Sequence, residues 1–161
     1  PGLGKSEWAA TLFAAAINSE KALIVDADAL NLLAMEPHKR DNWILTPHPG
    51  EAARLLDTTV EEVQANRFSA VEHIAEKFGG VVVLKGNGSL IYAEGMTSLC
   101  DKGNPGMASG GMGDVLTGIV ASLLAQGISL DDAAKVGVHL HACAGDAAAK
   151  GAGERGLLAS D

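Results

Sequence analysis

Residues 103–124 read GNPGMASGGMGDVLTGIVASLL, a glycine-rich loop that runs straight into a helical repeat. From Asp114 to Gln126, apolar side chains recur at 115, 116, 119, 120, 123 and 124, which is a helix period. The other face (Thr117, Gly118, Ala121, Ser122, Ala125) is small, so the helix is expected to pack closely on both sides. A glycine loop feeding a helix leaves several backbone N–H groups aimed at one place, and the helix dipole adds to them. A small anion such as phosphate is the natural occupant. Asp114 stands at that mouth. An acid there can be an N-cap, worth about 1 kcal/mol. It can also be a general base beside an anion hole. The spacing leaves both open.

Outward from this segment the chain alternates short β-branched runs with longer helical ones, the signature of an α/β fold. Ala22–Val25 and Trp43–Leu45 read as strands, and Val81–Leu84 as a strand buried on both faces, because nothing in it alternates. Leu90–Ala93 and Thr97–Leu99 form a predicted hairpin turning through Glu94–Gly95. Val60–Phe78 reads as one amphipathic helix ended by Gly79–Gly80, and Leu130–Lys150 as an Ala/Gly-rich helix lying against the one that begins near Asp114. Pro49 suits the first turn of a helix after the second strand. Pro1–Gly4 reads as a strand-to-helix turn without its strand. Ser160 and Asp161 read as caps without a helix, so a partial domain over 1–161 is expected, incomplete at both ends.

Composition narrows the class. With 161 residues the chain fits one domain, and 47% hydrophobic against 20% charged residues excludes a disordered tail. A net charge of −8 without a Lys/Arg cluster argues against general nucleic-acid binding. No apolar run approaches ~18 residues, so no membrane span is expected. Lys5, Ser6 and Glu7 interrupt the start before a signal peptide can build. Cys100 and Cys143 read as buried thiols of a cytoplasmic protein, not a zinc site. Twenty glycines, clustered at 86–88, 103–113 and 151–156, suggest anion-binding loops.

Other candidates follow from position. Asp26 and Asp28 come after a strand, where α/β folds gather ligands. They can face one Mg2+ or a sugar hydroxyl pair, or Asp28 can simply cap the next short helix. Lys85 closes a buried strand, and Gly86 and Gly88 let backbone approach a phosphate or a base. His139 and His141 lie two apart on a helix, face opposite sides, and read as structural. GLGKS at Gly2–Ser6 imitates the end of a P-loop, a reading that leaves TPHPGE and GGMGD unexplained.

GGMGDVLTG, with TPHPGE (Thr46–Glu51), DADALN (Asp26–Asn31) and KGNGSLI (Lys85–Ile91), resembles the ADP/ATP-dependent NAD(P)H-hydrate dehydratase family. The resemblance runs from Pro1–Gly4 to RGLLASD and implies a ribokinase-like three-layer α/β/α sandwich with a mostly parallel sheet. It implies repair of hydrated NADH or NADPH with ADP or ATP and Mg2+, in a domain often fused behind an epimerase, and a homo-oligomer in the cytoplasm. By the family pattern, Lys85, Gly86, Asn87, Gly88, Ser89 and Gly113 would hold the adenine nucleotide. Gly2, Gly4, His48 and Asp114 would hold the hydrated dinucleotide, with Asp114 as catalytic residue and no protein metal site. From spacing alone, His48 reads equally well as a polar loop residue. The alternatives are a ribokinase-fold kinase of the hydroxyethylthiazole or pyridoxal type, or an inactive nucleotide-binding piece.

Overall fold

Val81–Leu84 (β3) is the centre of the molecule, and its pleat divides the core in two. In the computed structural model, which describes residues 1–161 apart from the side chain at 152, Val82 and Leu84 point to one face and Val81 and Val83 to the other. The first face joins Trp43, Leu45, Leu33, Ile74 and Phe78; the second joins Ile44, Ile91, Leu116, Val120 and Ala134. Helices cover both faces, so the layers are α/β/α.

The sheet has five strands in chain order: β1 (Leu23–Val25), β2 (Trp43–Leu45), β3, β4 (Ser89–Ala93) and β5 (Met96–Cys100). β1–β2 and β2–β3 pair parallel, whereas β3–β4 and β4–β5 pair antiparallel. The sheet is therefore mixed, parallel in one half and a meander in the other. Helices make the parallel crossovers: α2 (Asp28–Met35) after β1, then α3 (Pro49–Leu56), α4 (Val60–Ala65) and α5 (Arg67–Phe78) after β2. The expected turn at Glu94–Gly95 joins β4 to β5, with φ of 51° and 78°, as a tight hairpin turn requires. α1 (Glu7–Ile17) precedes β1, while α6 (Met112–Ala125) and α7 (Leu130–Ala152) pack together on the second face.

Four local expectations are corrected. The segment 60–78 is two helices, because Asn66 leaves helical geometry at φ −146° and its side chain takes the N–H of Ser69. Asparagine competes for backbone in this way, and here it starts a new helix. Asp28 does not cap α2: the cap position is Ala27 at φ 50°, and Asp28 is the first helical residue. Asp114 does not cap α6 either; Gly111, at φ 91°, does. Finally, the small face of α6 packs within this chain only at half-buried Thr117, since Gly118, Ala121, Ser122 and Ala125 are exposed. The close approach comes from α7, where a Cβ on Gly137 would stand 2.6 Å from Val120 Cγ2.

Both cysteines are free thiols, Cys100 buried and Cys143 half-buried. His139 is exposed beside the Cys143 sulfur, and burial pushes the His141 imidazole below its ordinary pKa. Among the described residues, no helix is long and apolar enough to cross a membrane.

Candidate functional site

The carboxyl ends of β1, β2 and β3 lie side by side, and the residues after β1 and β3 meet Glu51 of α3 in one cluster. β1 is followed by Asp26, which is buried at 2% exposure. β3 is followed by Lys85, whose Nζ donates to Asp26 Oδ1 at 2.7 Å and stands 3.8 Å from Glu51 Oε2. Thr117 on α6 donates to Asp26 Oδ2 at 3.3 Å. Backbone ties hold the strand ends in register: Thr46 N–H donates to the Val25 carbonyl and Lys85 N–H to the Pro47 carbonyl. A charge as buried as Asp26 is tolerable only when paired, and Lys85 with Thr117 supplies that pairing.

After β2, TPHPGE turns into α3 through a reciprocal cap. His48 Nδ1 accepts from Gly50 N–H at 2.9 Å, and the Glu51 carboxylate accepts from His48 N–H at 2.8 Å. Because Nδ1 is the acceptor, neutral His48 carries its proton on Nε2, which lies 3.5 Å from Glu51 Oε1. A Cβ at position 50 would meet the His48 ring at 2.8 Å, so the cap requires glycine there. His48 is exposed, and its ring is a helix cap rather than a free loop side chain.

The glycine loop meets the cluster at the start of α6. A Cβ on Gly113 would lie 3.3 Å from Lys85 Nζ and 3.5 Å from Asp26 Oδ2. No side chain caps this helix, so its first N–H groups, at Met112, Gly113 and Asp114, are free to meet a ligand. Asp114 is the third helical residue and exposed, with its charge on the favourable end of the dipole. From behind, Asp146 on α7 accepts from Gly103 N–H and from the Asn104 side chain, and Asn104 in turn holds Gly106 N–H. The Asn104 amide and the Gly103 N–H hold the Asp146 carboxyl below its ordinary pKa.

The β3–β4 turn, Lys85 to Gly88, is a second glycine-bearing loop at the strand ends, and Ser89 opens β4 with its hydroxyl donating to the Gly86 carbonyl. Gly2 and Gly4 both have positive φ, and Gly4 N–H donates to Asp28 Oδ2 at 2.8 Å. Asp28 thus ties the Gly2–Gly4 turn to DADALN. With Asp26 committed to Lys85 and Asp28 to Gly4, the two aspartates do not converge on one ion. Among the described residues, no three His, Cys, Asp or Glu side chains group to hold a metal.

The structure brings Lys85 and Gly113 together, sets Asp114 beside them, and joins His48 to them through Glu51. Glu51 and Thr117 were legible only as parts of larger motifs, and Arg67, which holds the β3–β4 turn, carried no local signal at all.

The whole chain, residues 1–161, matches the family model described as NAD(P)H-hydrate dehydratase. It is 54% identical to the bifunctional NAD(P)H-hydrate repair enzyme Nnr of Coxiella burnetii, over 100% of this chain and 33% of that protein. It is 44% identical to the ADP-dependent (S)-NAD(P)H-hydrate dehydratase of Neisseria meningitidis, over 99% of this chain and 57% of that protein. Among solved structures it resembles the Bacillus subtilis ADP/ATP-dependent NAD(P)H-hydrate dehydratase co-crystallised with ATP/Mg2+. There the TM-score is 0.86 at 31% identity, over 99% of this chain and 57% of that one. The fold is thus the ribokinase-like sandwich. The chain spans about a third of the length of the bifunctional relative and little over half of the single-function ones.

Proposed function

Because the chain belongs to the NAD(P)H-hydrate dehydratase family, we propose that it carries the nucleotide-dependent dehydration of hydrated NADH or NADPH, consuming ADP or ATP. The observation that supports this best is the uncapped start of α6, with Gly113 against Lys85 and exposed Asp114 one residue on. That arrangement offers free N–H donors and a cation for a phosphoryl group, with a carboxylate beside them for the acceptor hydroxyl.

Water is a poor leaving group and phosphate a good one. Asp114 accepts the proton of the hydrate's hydroxyl as that oxygen bonds to the terminal phosphorus of the nucleotide, whose bond to the bridging oxygen breaks to release AMP from ADP or ADP from ATP. The carbon–oxygen bond then breaks with phosphate departing, a proton leaves the neighbouring ring carbon, and the dihydropyridine double bond is restored. The free amides at the start of α6 and Lys85 meet the charge of the moving phosphoryl group. Among the described residues no three carboxylates gather into a Mg2+ cage, so Mg2+ would enter with the nucleotide and would supply charge neutralisation at the phosphoryl group. No step above is routed through it.

Lys85 to Ser89 and Gly113 line the adenine-nucleotide side in this reading. Gly2, Gly4 and His48 line the side of the hydrated dinucleotide. The bifunctional relative extends well beyond the matched third, and the reading adds a fused or partner epimerase domain and takes the protein as a cytoplasmic homo-oligomer. Incubation with hydrated NADH and ADP or ATP, following the return of reduced nicotinamide absorbance, tests the reaction. Recovery that requires the nucleotide supports it. Phosphorylation of an alcohol such as pyridoxal, with no recovery, would make the protein a kinase instead.

A further inference from the structure

Arg67 is the first residue of α5, placed there by the break at Asn66. Its guanidinium reaches the β3–β4 turn and donates to three carbonyls: Asn87 at 2.6 Å, Leu84 at 3.2 Å and Lys85 at 3.5 Å. Among the described residues no carboxylate lies within ion-pair distance of it, so its charge serves backbone alone. That arrangement is costly. Nε is buried without a partner, and burial pushes the guanidinium below its ordinary pKa.

The consequence follows from the geometry of the peptide unit. In a trans peptide the carbonyl and the following N–H point in opposite directions. Fixing the Lys85 and Asn87 carbonyls on the guanidinium therefore turns the N–H groups of Gly86 and Gly88 away from it. Neither N–H donates to any group among the described residues. Both residues have positive φ, at 151° and 70°, and a Cβ on Gly86 would stand 2.9 Å from Arg67 Nη2, so the clamp and the glycines fit each other. One cation inside the turn thus leaves two unpaired amides facing away from it, in a turn that begins at Lys85, whose Nζ lies beside Gly113 at the start of α6.

We propose that Arg67 is a positioning residue for the nucleotide: it touches no ligand, but sets the direction of the Gly86 and Gly88 amides that receive it. The inference rests on the nucleotide reading of this turn given above. Preorganised donors bind without first paying for loop ordering, so losing the clamp should weaken nucleotide binding without touching the dinucleotide side.

The test is ADP affinity by calorimetry, with KM for ADP and for the hydrated dinucleotide, in the parent chain and in Arg67→Ala and Arg67→Lys. Arg67→Ala is expected to raise the ADP Kd about tenfold or more, with KM for the hydrated dinucleotide within about twofold. Lysine keeps the charge but cannot fork across three carbonyls, so Arg67→Lys is expected to fall between. It also carries the test if Arg67→Ala does not fold. An unchanged ADP Kd in either folded variant, or an equal shift in both constants, overturns the inference. A parent chain that binds no ADP overturns the nucleotide reading itself.

Discussion

Replacing Lys85 by methionine removes the one cation bonded to Asp26 among the described residues and keeps most of the side-chain volume. The pair is 2.7 Å apart; Asp26 is nearly inaccessible, whereas about a fifth of the Lys85 side chain is open to solvent. Breaking a buried pair by removing one partner costs ~3–5 kcal/mol, because the other charge is stranded. Partial exposure of the lysine lets water approach the vacated position, so about 3 kcal/mol is expected, leaving the Thr117 hydroxyl as the one remaining donor to Asp26. For a chain of this length that is a fall of ~6–12 °C in the thermal midpoint. The decisive comparison is the double variant Lys85→Met/Asp26→Asn. Asparagine removes the stranded charge and still accepts from Thr117, so it should recover ~2 kcal/mol relative to Lys85→Met alone. Urea titrations of the parent, both singles and the double give the coupling energy, provided m is unchanged. A cost below about 1 kcal/mol for Lys85→Met, or a double variant no more stable than that single, would refute the claim that a stranded Asp26 charge sets the cost.

Asp114→Asn should lower kcat by ~10²–10⁴ while changing stability by at most about 1 kcal/mol, since residue 114 is an exposed third helical position and not the cap. Retained turnover in the recovered-absorbance assay would remove Asp114 from the chemistry. Because Asp146 has a lowered pKa in the folded chain, its contribution is present above the ordinary carboxylate value of about 4 and is lost as pH falls through the folded value. Asp146→Asn should therefore flatten that acid limb of stability, which urea midpoints between neutral and acid pH would reveal; an identical limb in the variant counts against the contact. Gly137→Ala gains helix propensity but drives a methyl against Val120, so a net loss of ~1–3 kcal/mol is expected, and a urea midpoint at or above the parent's would show that α6 and α7 are not in close contact.

What could be read from the order of residues is what local energetics decide. Val81–Leu84 announces a strand buried on both faces because four apolar β-branched or aliphatic residues in a row leave no solvent side. Glu94–Gly95 announces a hairpin because both positions must accept positive φ. GGMGD announces an anion-ready helix start because glycine loops and helix dipoles act within a few residues. Even there the cap slid from Asp114 to Gly111, since the positive φ of that glycine begins the helix earlier than the apolar period does. The split at Asn66 was hidden for the opposite reason: the apolar period continues across it, and one side-chain hydrogen bond to Ser69 decides against it.

The partners in the site are a different matter. Lys85 and Asp26 are 59 positions apart, Thr117 and Asp26 are 91 apart, and Arg67 and Asn87 are 20 apart. No period or cap motif encodes such distances. They follow from the parallel order β1-β2-β3, which sets the strand ends abreast, and from α6 packing across them. The sequence by itself therefore determined which segments become strands, helices and glycine loops, because those choices are made by backbone and neighbours. Only the tertiary structure decided that Lys85 answers Asp26 and that Arg67 turns the glycine amides outward, because pairing a buried charge is settled by whichever group the completed sheet brings within reach.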